Sequence, residues 1–126
     1  MNEAEFVLEV VSKLETMGFQ VVERSEVPAE GFYRGFERLP KGKVGGFDLI
    51  VAHTRTHKEV GVECKAKLTS GSLMASIGQC LRYSVKNNNR ISEAIIAFPK
   101  NCDGELLKDA RAITERFNLP ISLLEV

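Results

Sequence analysis

A chain of 126 residues, 44% hydrophobic and 27% charged, suits one globular domain (residues 1–126) with a core of its own. Seventeen basic and seventeen acidic residues cancel, which excludes a chain-wide attraction to nucleic acid or an anionic membrane and leaves a local patch as the only route to such a partner. The three cysteines show no paired spacing, no apolar run approaches membrane-spanning length, and Met1-Asn-Glu-Ala-Glu5 is too acidic for a signal peptide; a soluble, cytoplasmic protein with reduced cysteines and no membrane partner is expected.

Residues 3–17 read as an amphipathic helix, with Phe6, Val7, Val10, Val11, Leu14 and Met17 at helical spacing, Asn2 as N-cap and Gly18 as the stop. Glu3 falls near the apolar stripe, so it either looks inward from the first turn or frays into solvent, where the helix dipole favours an acid. Phe19 to Arg24 is a strand. The pattern then breaks from Ser25 to Gly45, where Arg34, Arg38, Lys41 and Lys43 interleave with Phe32, Tyr33 and Phe36. A loop of that length in a small domain is usually functional or mobile. Its basic residues would suit a flap that touches phosphates; its aromatics fit a satellite core as well as base stacking.

Strands 47–53 and 59–66 follow as a hairpin across Thr54 to Lys58. His53 and His57 lie four apart, a spacing that aligns zinc ligands on a helix but reads here as a solvated turn. Thr69 to Ser72 carries N-cap chemistry for a helix over 73–86, with Leu73, Ile77, Cys80, Leu81 and Ser84 inward and Gln79, Tyr83 and Lys86 on another face. A buried strand, 93–98, ends at Pro99. A helix capped by Asp103 carries Leu106, Leu107, Ala110, Ile113 and Phe117, and a last strand spans 121–125. The order predicts an α/β fold whose mixed central sheet is flanked by helices.

Three residues break the strand pattern: Asp48, Glu63 and Lys65. Side chains alternate along a strand, so Glu63 and Lys65 share the face opposite Val60, Val62 and Cys64. A charge on a half-buried strand is costly unless it is paired or holds a metal. Two carboxylates with an ammonium beside them offer a hard oxygen site for Mg²⁺ or Mn²⁺, which is equipment for hydrolysing a phosphodiester. The bland alternative is a surface hairpin with an ordinary Glu–Lys pair.

Asp48, a hairpin and then Glu63-Cys-Lys65 resemble the PD-(D/E)xK signature of the restriction-endonuclease-like superfamily. The element order over residues 3–98 is similar to that superfamily's αβββαβ core, here followed by a further helix and strand. Gln79-Cys-Leu-Arg-Tyr83 matches the Q-x-x-x-Y motif of the RecB-type and lambda-exonuclease-like branches, and Glu-Cys-Lys-Ala-Lys67 looks like the run in archaeal Holliday junction resolvases. The resemblance implies that Asp48, Glu63 and the backbone carbonyl of Cys64 bind Mg²⁺ (or Mn²⁺), with Glu3 as a further acid. It implies that Lys65 orients the attacking water, and that Gln79 and Tyr83 contact substrate or fix the lysine. Phe47 stands where the signature often has proline, and Glu3 lies about a turn further from Gly18 than in the resolvases.

The function so implied is a metal-dependent nuclease acting on DNA, branched or single-stranded, in repair, recombination or defence. Arg34, Arg38, Lys41, Lys43, Lys67 and Lys86 would hold nucleic acid, and a homodimer is expected. The alternatives are a non-catalytic or partner-dependent nucleic-acid-binding module on the same fold, and an RNA-directed nuclease.

Overall fold

The structure is a computed structural model that describes residues 2–24, 46–86, 90–100 and 102–126. Its elements are α1 (Glu3–Thr16), β1 (Phe19–Arg24), β2 (Leu49–His53), β3 (Glu59–Cys64), α2 (Ser70–Lys86), β4 (Ala94–Phe98), α3 (Gly104–Arg116) and β5 (Ile121–Glu125). The strands form one five-stranded sheet in the order β1-β2-β3-β4-β5. β1 pairs antiparallel with β2, and β2 with β3 through the short turn at residues 54–58, whereas β4 and β5 run parallel to β3 because α2 and α3 carry the chain back.

Local chemistry sets the helix ends. The Asn2 side chain accepts the Glu5 N–H at 2.9 Å, and Gly18 at φ +89° turns the chain into β1. At α2, the Ser72 N–H donates to Thr69 Oγ1 (3.1 Å) and the Thr69 N–H donates to Ser72 Oγ (2.8 Å). This reciprocal cap starts the helix at Ser70, three residues before the first apolar position of its stripe. Asp103 caps α3 by accepting the Glu105 N–H at 2.9 Å.

Each face of the sheet carries its own core. Leu49, Val51, Val60, Val62, Cys64, Ile95 and Ala97 pack under the apolar stripe of α1. Ile50, Ala94, Ile96, Phe98 and Ile121 pack under α2 and α3. A fully buried side chain such as Phe6, Leu49 or Ile96 contributes roughly 1.5–3 kcal/mol. Leu81, expected inward, is 37% exposed, since the sheet covers only the arc of α2 that holds Leu73, Ser76, Ile77 and Cys80. All three cysteines are free; Cys64 and Cys80 are buried and Cys102 is half-buried. Among the described residues no helix is long and apolar enough to cross a membrane.

The β2–β3 hairpin is shorter than expected at its open end. β2 starts at Leu49 because Asp48 leaves the ladder: its N–H donates to the Val62 carbonyl (3.0 Å), although the register pairs Leu49 with Val62. Its side chain takes over, accepting the Cys64 N–H at 2.8 Å. β3 stops at Cys64, after which only the Lys65 N–H stays tied to the sheet, donating to the Ala97 carbonyl at 2.9 Å.

Candidate functional site

The departures from regular pairing fall where the sequence placed its polar outliers. Glu63, the penultimate residue of β3, is 3% exposed; among the described residues it is the one charged side chain that is buried. Strand alternation puts it on the face opposite Val62 and Cys64, which lie in the α1 core, and Lys65 follows it on that side. The bond from the Cys64 N–H holds the Asp48 carboxylate against the peptide that joins Glu63 to Cys64. Two acids from adjacent strands therefore meet around one peptide unit, with Lys65 one residue beyond.

α2 packs over the same place. Its Cys80 thiol is pushed up to about 12, by burial first and then by the charge of Glu63, with Lys65 opposing. The Tyr83 phenol is raised by burial and then by Glu63 and Asp48, again against Lys65. One face of α2 thus feels all three charged residues. The Cys64 thiol, on the α1 side, is raised well above its usual range by burial and then by Asp48, Glu63 and Glu3. Glu3 itself is exposed in the first turn of α1, and its charge is felt by the Cys64 thiol on that side of the sheet but not by Cys80 or Tyr83 on the side of the acids. Gln79, half-buried one turn before Tyr83, has a buried Oε1 without a hydrogen-bond partner. A buried acceptor left open is rare and calls for a donor, which an ammonium or a ligand could supply.

Tyr83 has a further contact that the sequence did not reveal. Gly46 adopts φ +101°, and a Cβ there would collide with the Tyr83 ring. Phe47, wholly buried, lies edge-on to Tyr83 (centroids 5.3 Å apart, 75° between planes) and over Gly61, where a Cβ would collide with its ring. Phe47 and Tyr83 thereby pin the peptide that leads into Asp48. The legible signal was Gly61, since a glycine inside a strand marks close approach.

The donor chemistry suits a small, hard cation. Asp48 and Glu63 supply two carboxylates, and the backbone oxygens at the end of β3 are of the same class. Mg²⁺ characteristically takes one or two carboxylates and keeps several waters. Among the described residues no three His, Cys, Asp or Glu side chains are gathered as a cation site, so such an ion would rest on the two strand acids, the main chain and water.

The remaining expected residues are spread out. Lys67 and Lys86 are exposed, before and at the end of α2. Arg34, Arg38, Lys41 and Lys43 lie outside the described residues. His53 stacks on Phe19 (centroids 4.2 Å apart) and His57, at φ +62°, closes the hairpin turn. No protein-family model matches the chain, and neither a curated protein nor a solved structure matches it.

Proposed function

We propose that this protein hydrolyses phosphodiester bonds in nucleic acid, DNA in the first instance, with a divalent cation held by Asp48, Glu63 and the Cys64 carbonyl. The observation that carries the reading is the Asp48 carboxylate bonded to the Cys64 N–H beside a Glu63 that is 3% exposed. Taking an ionised carboxylate out of water costs several kcal/mol, and a second acid next to it adds repulsion. A cation at this point offsets both. The PD-(D/E)xK resemblance and its restriction-endonuclease-like core supply the same assignment from the motif side.

Bound Mg²⁺ or Mn²⁺ would supply a water of lowered pKa and neutralise charge on the phosphate. The chain's own groups do the rest. Lys65, its backbone anchored to Ala97 and its charge felt by Cys80 and Tyr83 of α2, would orient the attacking water and balance charge developing on the phosphate oxygens. The Tyr83 phenol, kept protonated by its raised pKa, donates to a substrate oxygen, and Gln79 Oε1 accepts from Lys65 or from the ligand. Glu3 adds negative field at the rim. Lys67 and Lys86, with Arg34, Arg38, Lys41 and Lys43, grip the backbone of the strand.

The zero net charge favours a second reading, a binding module on the same scaffold that leaves cleavage to a partner. A labelled panel of branched, linear and single-stranded DNA, with matching RNA, incubated with Mg²⁺ or Mn²⁺, separates the two. Metal-dependent cleavage that EDTA abolishes supports the nuclease. Tight, metal-independent binding with no turnover on any substrate supports the module, and cleavage of RNA alone reassigns the substrate.

A further inference from the structure

The two edges of the sheet are built differently. β1 is irregular between Val21 and Glu23, and Arg90 sits on that Glu23 at 2.7 Å. β5 pairs with β4 in unbroken register over its whole length and contains no bulge, lysine or proline. Those are the devices by which edges refuse a further strand. The Ala94 N–H donates to the Pro120 carbonyl and the Val126 N–H donates to the Phe98 carbonyl. By the alternation of a parallel ladder, Ser122 and Leu124 therefore bond inward, and Ile121, Leu123 and Glu125 turn their N–H and C=O groups outward. Among the described residues no strand receives them.

A groove of about 460 Å³ runs beside this edge, lined by Leu107, Lys108, Arg111 and Glu115 of α3 and by Glu125 of β5. The ion pairs of the described residues involve none of these four charges. Two cations and two acids, mixed along one groove, form a pattern that complements itself when rotated by half a turn.

We propose that a second copy of this chain docks on this edge, its β5 antiparallel to the first and a two-fold axis passing through Leu123. Ile121 then lies opposite the partner's Glu125, and Leu123 opposite the partner's Leu123. In that register every outward N–H finds an outward C=O, and no main-chain group of either strand is left facing solvent. The axis also sets α3 antiparallel to its counterpart on the same face of the joined sheet, bringing Lys108 and Arg111 toward the partner's Glu115. The zero net charge leaves no long-range repulsion between copies. The proposal holds whether or not the chain is a nuclease.

Light scattering on the eluting protein tests it. The expected mass is twice the 14.0 kDa of one chain. The double variant Lys108→Glu, Arg111→Glu should elute as a monomer with an intact circular-dichroism spectrum, and adding Glu115→Lys should restore the dimer. Glu125→Pro removes one outward N–H without touching the α3 charges and should also shift the protein toward monomer. A wild-type protein that stays monomeric at every concentration overturns the proposal, as does a dimer that all these variants leave unchanged.

Discussion

At the turn end of the β2–β3 hairpin, Lys58 meets Glu93 and Arg90 meets Glu59, each at 2.7 Å, through side chains that are 28–49% exposed. Arg90 also reaches Glu23 of β1, and these contacts raise its pKa, led by the bond to Glu59. At the open end of the same hairpin Glu63 is 3% exposed and Asp48 has left the ladder to bind a main-chain N–H. Both ends hold acids and cations. The turn end keeps Lys58, Glu93, Arg90 and Glu59 wet and paired, where each bridge is worth roughly 0–1 kcal/mol and exchanges readily with water, although Glu23 keeps one oxygen buried and open. The open end buries Glu63 and half-buries Asp48 and Lys65, and taking a carboxylate out of water costs stability. The two ends of one hairpin thus differ in how far their acids are withdrawn from water.

Substitutions at the two ends should separate those roles. The largest effect is expected from Glu63→Ala: metal-dependent cleavage falls to background, while the protein still melts cooperatively in EDTA. Paired cleavage assays and melts read both quantities. Gly46→Ala comes next, since it forces a left-handed φ on a side chain and drives a methyl into the Tyr83 ring. A loss of about 1–3 kcal/mol is expected in urea unfolding, together with slower cleavage, because the peptide leading to Asp48 must move. Arg90→Ala, at the wet end, should cost about 1 kcal/mol and leave cleavage unchanged.

An effect of similar size is expected in the pH dependence of stability. Unfolded, the Cys80 thiol titrates near 9.0; folded, it holds its proton to about 12, so its contribution to stability is constant below pH 9 and declines as pH rises through that interval. Urea midpoints at pH 8 and pH 10 measure the decline. At pH 8 only about one Cys80 in ten thousand is thiolate, so a maleimide should label half-buried Cys102 first.

The elements were legible because their signals are local: Asn2, Thr69 and Asp103 as caps, Gly18 as a stop, and apolar periodicity on α1 and β4. The acids at positions 48 and 63 were legible as violations of strand pattern. The main-chain bond made by Asp48 was not, since a residue's exit from a ladder depends on the partner strand's register rather than on its own neighbours. The clamp of Tyr83 and Phe47 on Gly46 and Gly61 was equally hidden. It joins residues far apart in sequence, and nothing in a lone aromatic says which glycine it covers.

The most direct measurement is a Mn²⁺ titration followed by electron paramagnetic resonance on wild-type protein, Asp48→Asn and Glu63→Gln, without nucleic acid. One saturable site in the wild type, weakened in each single variant and lost when both are combined, is the predicted result. Equal binding by all of them, or none by the wild type, contradicts the claim that these two strand acids were brought together to hold a cation.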